Sequence, residues 1–179
     1  MRLAELYKKE IIPRLKEQFA YSSALAVPKL EKVTVNVGVG RHSKDKKYIE
    51  SVVDDIRVMT GQNPVLTKSK KSVSAFKVRE GDTVGVTVLL RGQRMYDFVE
   101  KLINATLPRV RDFRGISPEK VDNNGNLTIG FKEHIAFPEI KVDHVDQTHG
   151  LEVSITTTAD DKKQGLELLK LLGFPFSKK

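Results

Sequence analysis

Leu30-Glu31-Lys32-Val33-Thr34-Val35-Asn36-Val37-Gly38-Val39-Gly40 alternates without a break. Successive side chains of a strand face opposite sides, so Val33, Val35, Val37 and Val39 form one face and Thr34, Asn36, Gly38 and Gly40 the other. The stretch predicts a strand with a valine wall on one side and a nearly bare backbone on the other. Residues 84–91 repeat the pattern, with Val84, Val86, Val88 and Leu90 opposite Gly85, Thr87, Leu89 and Arg91. Two such walls need an apolar cover, and helical spacing supplies it on either side in the chain. Residues 2–20 carry one stripe, Leu3, Leu6, Tyr7, Ile11, Leu15 and Phe19, with Pro13 expected to kink or split it. Residues 45–60 place Tyr48, Ile49, Val52, Val53, Ile56 and Met59 together and end at Gly61. Residues 93–107 read as a helix stopped by Pro108, and Asp160 or Asp161 caps a last one running to Leu172.

Shorter alternations at 65–67, 127–131 and 151–157 complete the set, while 132–149 has no clean period. The order of elements predicts an α+β fold, a mostly antiparallel sheet with helices packed on one face and long basic and outer loops. No Gly- or Ser-rich linker interrupts residues 1–179, which are read as a single domain.

Composition narrows the chemistry. The 179 residues are 39% apolar and 30% charged, and they include no cysteine. That excludes disulfides, thiolate catalysis, iron–sulfur clusters and Cys-built zinc sites. No run approaches the roughly 18 apolar residues of a membrane span. The start, Met1-Arg2-Leu3-Ala4-Glu5-Leu6, is amphipathic and contains an acid, unlike a secretory signal. The expectation is a cytoplasmic protein with no membrane partner. The net charge of +8 is uneven: residues 61–94 hold 7 basic and 2 acidic groups, residues 134–179 hold 6 and 7. A polyanion such as nucleic acid is expected on the first half, and a different partner on the last third.

Four stretches have residue types suited to function. Asn36 to Ser43 holds Gly38-x-Gly40 after a strand, but Ser43 stands where a dinucleotide fingerprint needs its third glycine, and no Walker lysine follows. The alternatives are a plain strand end, or a flat platform that a sugar–phosphate backbone approaches closely. Thr67 to Asp82 carries Lys68, Lys70, Lys71, Lys77 and Arg79, with Ser72, Ser74 and Phe76. It suits RNA phosphates and a base, or is a solvated loop. Arg91, Arg94, Arg109, Arg111 and Arg114 offer phosphate forks, although Asp112 is placed to pair with some of them. Asp143-His144-Val145-Asp146-Gln147-Thr148-His149 has metal-ligand types without a standard spacing, and a surface polar loop is the simpler reading. No catalytic triad, carboxylate pair or metal motif emerges, so neither an enzyme nor a cofactor is expected. A nonspecific single-strand binder would need several free aromatics, and only Phe76 looks free.

Val35-Asn36-Val37-Gly38-Val39-Gly40, Thr60-Gly61-Gln62-Asn63-Pro64, Phe76-Lys77-Val78-Arg79-Glu80-Gly81, Leu90-Arg91-Gly92-Gln93-Arg94-Met95, Leu107 to Gly115, Phe137-Pro138-Glu139-Ile140 and Gly173-Phe174-Pro175-Phe176 occur in that order. In combination they resemble the bacterial large-subunit ribosomal protein L5 family over essentially the whole chain. The resemblance implies a noncatalytic ribosomal protein that binds 5S rRNA and helps attach it to 23S rRNA in the central protuberance, among neighbouring large-subunit proteins. It also implies a loop, here Ser72 to Asp82, that reaches the P-site tRNA, and an outer region that bridges to a protein of the small-subunit head. The expected 5S rRNA site is Asn36, Gly38, Gly40, Gln62, Thr87, Arg91 and Arg94. The phosphate-contacting loop is Lys68, Lys70, Lys71, Ser72, Ser74, Phe76, Lys77 and Arg79. The protein bridge is Arg109, Arg111, Phe113, Arg114, Glu139, Asp143 and Asp146.

Overall fold

The structure, a computed structural model, describes residues 2–140 and 148–177. Five strands, β1 (Leu30–Gly38), β2 (Val65–Lys68), β3 (Thr83–Leu90), β4 (Leu127–Phe131) and β5 (Leu151–Thr157), form one antiparallel sheet in the order β2-β3-β1-β5-β4. The helices are α1 (Leu3–Leu6), α2 (Ile12–Gln18), α3 (Lys46–Thr60), α4 (Gly92–Lys101), α5 (Leu107–Arg109) and α6 (Lys162–Leu171). The α+β expectation holds. The chain forms two compact units, one of Met1–Val33, Arg91–Ile129 and Ser154–Lys179, the other of Thr34–Leu90 and Gly130–Val153.

In the first unit, α1 packs on α4. The Leu3 N–H donates to Glu100 Oε2 at 3.1 Å and the Tyr7 hydroxyl to the Pro28 carbonyl at 3.0 Å. Burial pushes the Tyr7 phenol up to about 12, with Tyr96 adding to the shift. Both prolines in the helical stretches are met by one device. A wide π turn, Tyr7–Ile11, precedes Pro13 in the first turn of α2, and another, Leu102–Thr106, precedes Pro108 in the first turn of α5. A widened turn tolerates a ring and a missing N–H that a regular α-helix would not. Pro108 therefore does not stop the helix as the sequence suggested; helical backbone continues to Arg109. Asp161, not Asp160, caps α6 by accepting from the Gln164 N–H at 2.7 Å.

In the second unit, α3 packs on β3. The stripe Ile49, Val52, Ile56 and Met59 is buried, as are Val35, Val37 and Val39 of the first alternation and Val86, Val88 and Leu90 of the second. Asp45 caps α3 by accepting from the Tyr48 N–H at 3.2 Å, and Gly61 ends it in the left-handed conformation at φ 66°. The strands β2 and β3 are antiparallel, pairing Val65 with Thr87, Leu66 with Val86 and Thr67 with Gly85, and a bulge follows Thr67.

Candidate nucleic-acid interface

From Thr34 onward, the face of β1 opposite the valines belongs with β2 and β3 to the second unit. Asn36 and Gly38 are exposed on it, and no atom lies within 4 Å of the place a Cβ on Gly38 would occupy. Strand pairing brings Val65 and Thr67 to the same side as Thr87 and Gly85. Val65 is 65% exposed and Leu89 42%. These residues give the platform amide, hydroxyl, bare backbone and aliphatic contact, and none of them is charged.

Three details differ from the sequence reading. Gly85 is not open: a Cβ there would sit 2.6 Å from Thr67 Oγ1 and 3.5 Å from Asn36 Oδ1, so neighbouring side chains already fill its space. Gly40 is not on the strand face, because β1 ends at Gly38 and Gly40 begins the short 3-10 turn Gly40–His42. Thr87 is half-buried, and its hydroxyl donates to the Val35 carbonyl at 3.2 Å. Gln62 does stand at the rim, its Nε2 donating to the Leu89 carbonyl at 3.1 Å. Arg91 and Arg94 are exposed but belong to the other unit, where Arg91 Nη1 lies 3.4 Å from Glu31 Oε1. Such an exposed pair contributes about 0–1 kcal/mol.

Residues 69–82 are a folded hairpin. Ser69 N–H donates to the Asp82 carbonyl at 2.8 Å, Gly81 N–H returns to the Ser69 carbonyl at 3.0 Å, and Val73 bridges Val78. Ser72 Oγ accepts from the Glu80 N–H at 2.9 Å and Asp82 Oδ2 from the Arg79 N–H at 2.8 Å, so these two polar groups shape the loop. Its tip is a 3-10 turn, Ser74–Phe76, closed by Lys77 at φ 53°. Lys68, Lys70, Lys71, Ser74, Phe76, Lys77 and Arg79 are all exposed. Among the described residues, none of these five cations has a carboxylate within ion-pairing distance.

The bridge residues fall into separate places. Arg109, Arg111 and Arg114 are exposed and Phe113 half-buried in the first unit. Glu139 lies in the second unit and is half-buried rather than exposed. Asp143 and Asp146 lie outside the described residues, as does His144.

His149, the end of that acidic stretch, is not on a surface loop. It is buried and stacks on His134, ring centroids 3.9 Å apart and planes 1° from parallel. Asp55 Oδ2 is 3.2 Å from His149 Nε2 and 3.7 Å from His134 Nε2. His134 Nδ1 lies 3.2 Å from the His149 N–H, which donates to it, and 3.4 Å from the His149 carbonyl. Burial, and then His149, hold His134 below the usual histidine value despite Asp55. Two His and one Asp are metal-ligand types with donor atoms within 4.8 Å. Parallel rings, however, hold their in-plane lone pairs parallel, and these do not converge on one ion at about 2.0–2.1 Å. The cluster reads as a carboxylate-tethered histidine stack. Asp55 carried no signal in the sequence, because it meets His149 across 94 residues.

The Gly38-x-Gly40 turn does lead towards a helix, but the Asp45 carboxylate already occupies the N-terminus of α3. A cofactor phosphate would meet an acid there, which removes the main ground for a nucleotide enzyme.

Residues 23–79 match the family described as Ribosomal protein L5, and residues 83–176 match the model of that ribosomal family's C-terminus. The chain is 54% identical over 175 residues to the large ribosomal subunit protein uL5 of Halothermothrix orenii, covering 98% of each. It is 54% identical over 174 residues to that of Desulforapulum autotrophicum, covering 97% of each, and 48% identical over 177 residues to that of Carboxydothermus hydrogenoformans, covering 99% of each. The chain therefore belongs to the ribosomal protein L5 family, whose members are structural proteins of the large ribosomal subunit and not enzymes.

Proposed function

We propose that this chain is a structural constituent of the large ribosomal subunit that holds 5S rRNA on the bare face of β1, β2 and β3 and helps attach it to 23S rRNA in the central protuberance. The observation that carries this reading is the uncovered backbone at Gly38 beside the exposed Asn36 amide. A ribose–phosphate strand can lie close there and be positioned by neutral hydrogen bonds. The hairpin 69–82 extends unpaired cations and Phe76 to a second RNA surface, the P-site tRNA. The arginines at 109, 111 and 114 and the acids at 139, 143 and 146 serve the contact with a small-subunit head protein. The test is equilibrium titration of the full chain with 5S rRNA beside ATP and NAD. Saturable binding of 5S rRNA alone supports the reading, and binding of either nucleotide without the RNA contradicts it.

A further inference from the structure

Beside the hairpin tip lies a cavity of about 640 Å³, lined wholly by residues of the second unit. Its lining is rich in rings. Phe76 contributes a side chain 76% exposed, His42 and Tyr48 lie 4.4 Å apart at 40° to each other, and His149 completes the set. Gly38 and Gly40 add floor without side chains, and Arg41 is the one charged chain in the lining among the described residues. His149 is 5% exposed, and its Nδ1 has no hydrogen-bond partner among the described residues. A second cavity of about 320 Å³ shares Gly40, Arg41, His42 and Phe76 and adds Lys44 and Lys77. Its one acid, Asp45, is engaged in capping α3.

We propose that the larger cavity takes one unstacked nucleobase of an RNA strand, stacked on the ring walls of Phe76 and the His42–Tyr48 pair, with the flanking phosphates on Arg41, Lys44 and Lys77. The inference rests on the RNA-binding reading above and assigns a site that meets the sheet face only at Gly38. A base is apolar on its faces and polar along its edge. The lining answers both, with rings for the faces and Thr148, glycine backbone and an unpaired imidazole nitrogen for the edge. Proteins read single-stranded RNA through bases splayed out onto aromatic and guanidinium planes. The volume falls in the roughly 300–1,000 Å³ range of small-ligand sites, enough for a base with its ribose. Cations gathered at the adjoining cavity suit a base that arrives still joined to its strand.

The test uses the full chain, with 5S rRNA, 23S rRNA and deacylated tRNA as separate probes at one fixed salt concentration. Phe76→Ala and His42→Ala should each weaken binding to the same one of the three RNAs by roughly 5- to 150-fold. Phe76→Tyr should restore it, and the double variant should lose less than the product of the single losses. Unchanged binding of all three RNAs by Phe76→Ala overturns the proposal. So does an equal loss on all three, or a loss that Phe76→Tyr leaves in place. Asn36→Ala, titrated alongside on 5S rRNA, keeps the two readings apart. If it alone weakens binding, only the cavity falls; if it changes nothing, the sheet-face reading falls on its own evidence.

Discussion

The sheet face from Thr34 onward and the hairpin 69–82 lie in one unit and offer a ligand opposite chemistries. Asn36, Gly38, Val65, Thr67, Gly85, Thr87 and Leu89 give the face amide, hydroxyl, aliphatic and bare backbone groups without a charge among them. The hairpin has four exposed cations, with Lys68 at its base a fifth, none with a carboxylate partner among the described residues, and one exposed ring. Neutral groups on a rigid sheet fix position, whereas cations on a projecting loop supply attraction that salt screens. On the proposed reading, the basic excess of the chain and the site of closest fit to RNA are different surfaces of one unit.

The largest expected effect separates the two regions by salt. Replacing Lys68, Lys70, Lys71, Lys77 and Arg79 with Ala should reduce the slope of log affinity against log salt by up to about 3.5–4.5 for the RNA that the hairpin meets, at about 0.7–0.9 per phosphate contact. Filter binding from low to physiological salt reads it. An unchanged slope on every RNA would show that these lysines only solvate the loop.

A smaller effect probes the rigidity of the face. Gly85→Val pushes a side chain into the Thr67 hydroxyl and towards the Val37 carbonyl. It should destabilise the unit by about 1–3 kcal/mol in urea unfolding, while a valine in the hairpin at Ser74 should be nearly neutral. Equal responses would remove the distinction between a packed face and an adaptable loop.

Thr87→Ala should come next, at about 0.5–1.5 kcal/mol of stability, because its hydroxyl bonds the Val35 carbonyl across the sheet. No change in unfolding would free that hydroxyl for RNA alone.

The mildest is a pH effect seated away from both regions. His134 is held below its ordinary value, near 6.5, so the unfolded chain takes up a proton that the folded one refuses. Its contribution is therefore complete above about 6.5 and lost as pH falls from there towards the folded value. His134→Gln should flatten that limb in urea titrations. Asp55, His149 and Glu133 are the ionisable groups that act on it.

What was legible in the sequence was local. The valine alternation of β1, the Gly61 end of α3 and the Asp161 cap each depend on residues within a few positions. The course of the helix through Pro108 was not legible, since a π turn leaves the hydrophobic stripe nearly unchanged. The alternation puts Gly85 on the right face but does not show that it is covered, because its cover, Thr67, depends on the register between β2 and β3. Asn36, Gly38 and Gln62 were found where the alternation and the turn placed them. The stack of His134 and His149 on Asp55 was missed because long-range partners leave no periodic trace.

The central claim is that neutral groups of the sheet face hold 5S rRNA. Its most direct test is the affinity of wild type and Asn36→Ala for 5S rRNA across a salt series, with unfolding measured in parallel. The account predicts two parallel lines, the variant weaker by about 0.5–1.5 kcal/mol at every salt concentration, and unchanged stability. Superimposed lines, or a loss of stability with affinity intact, would contradict it.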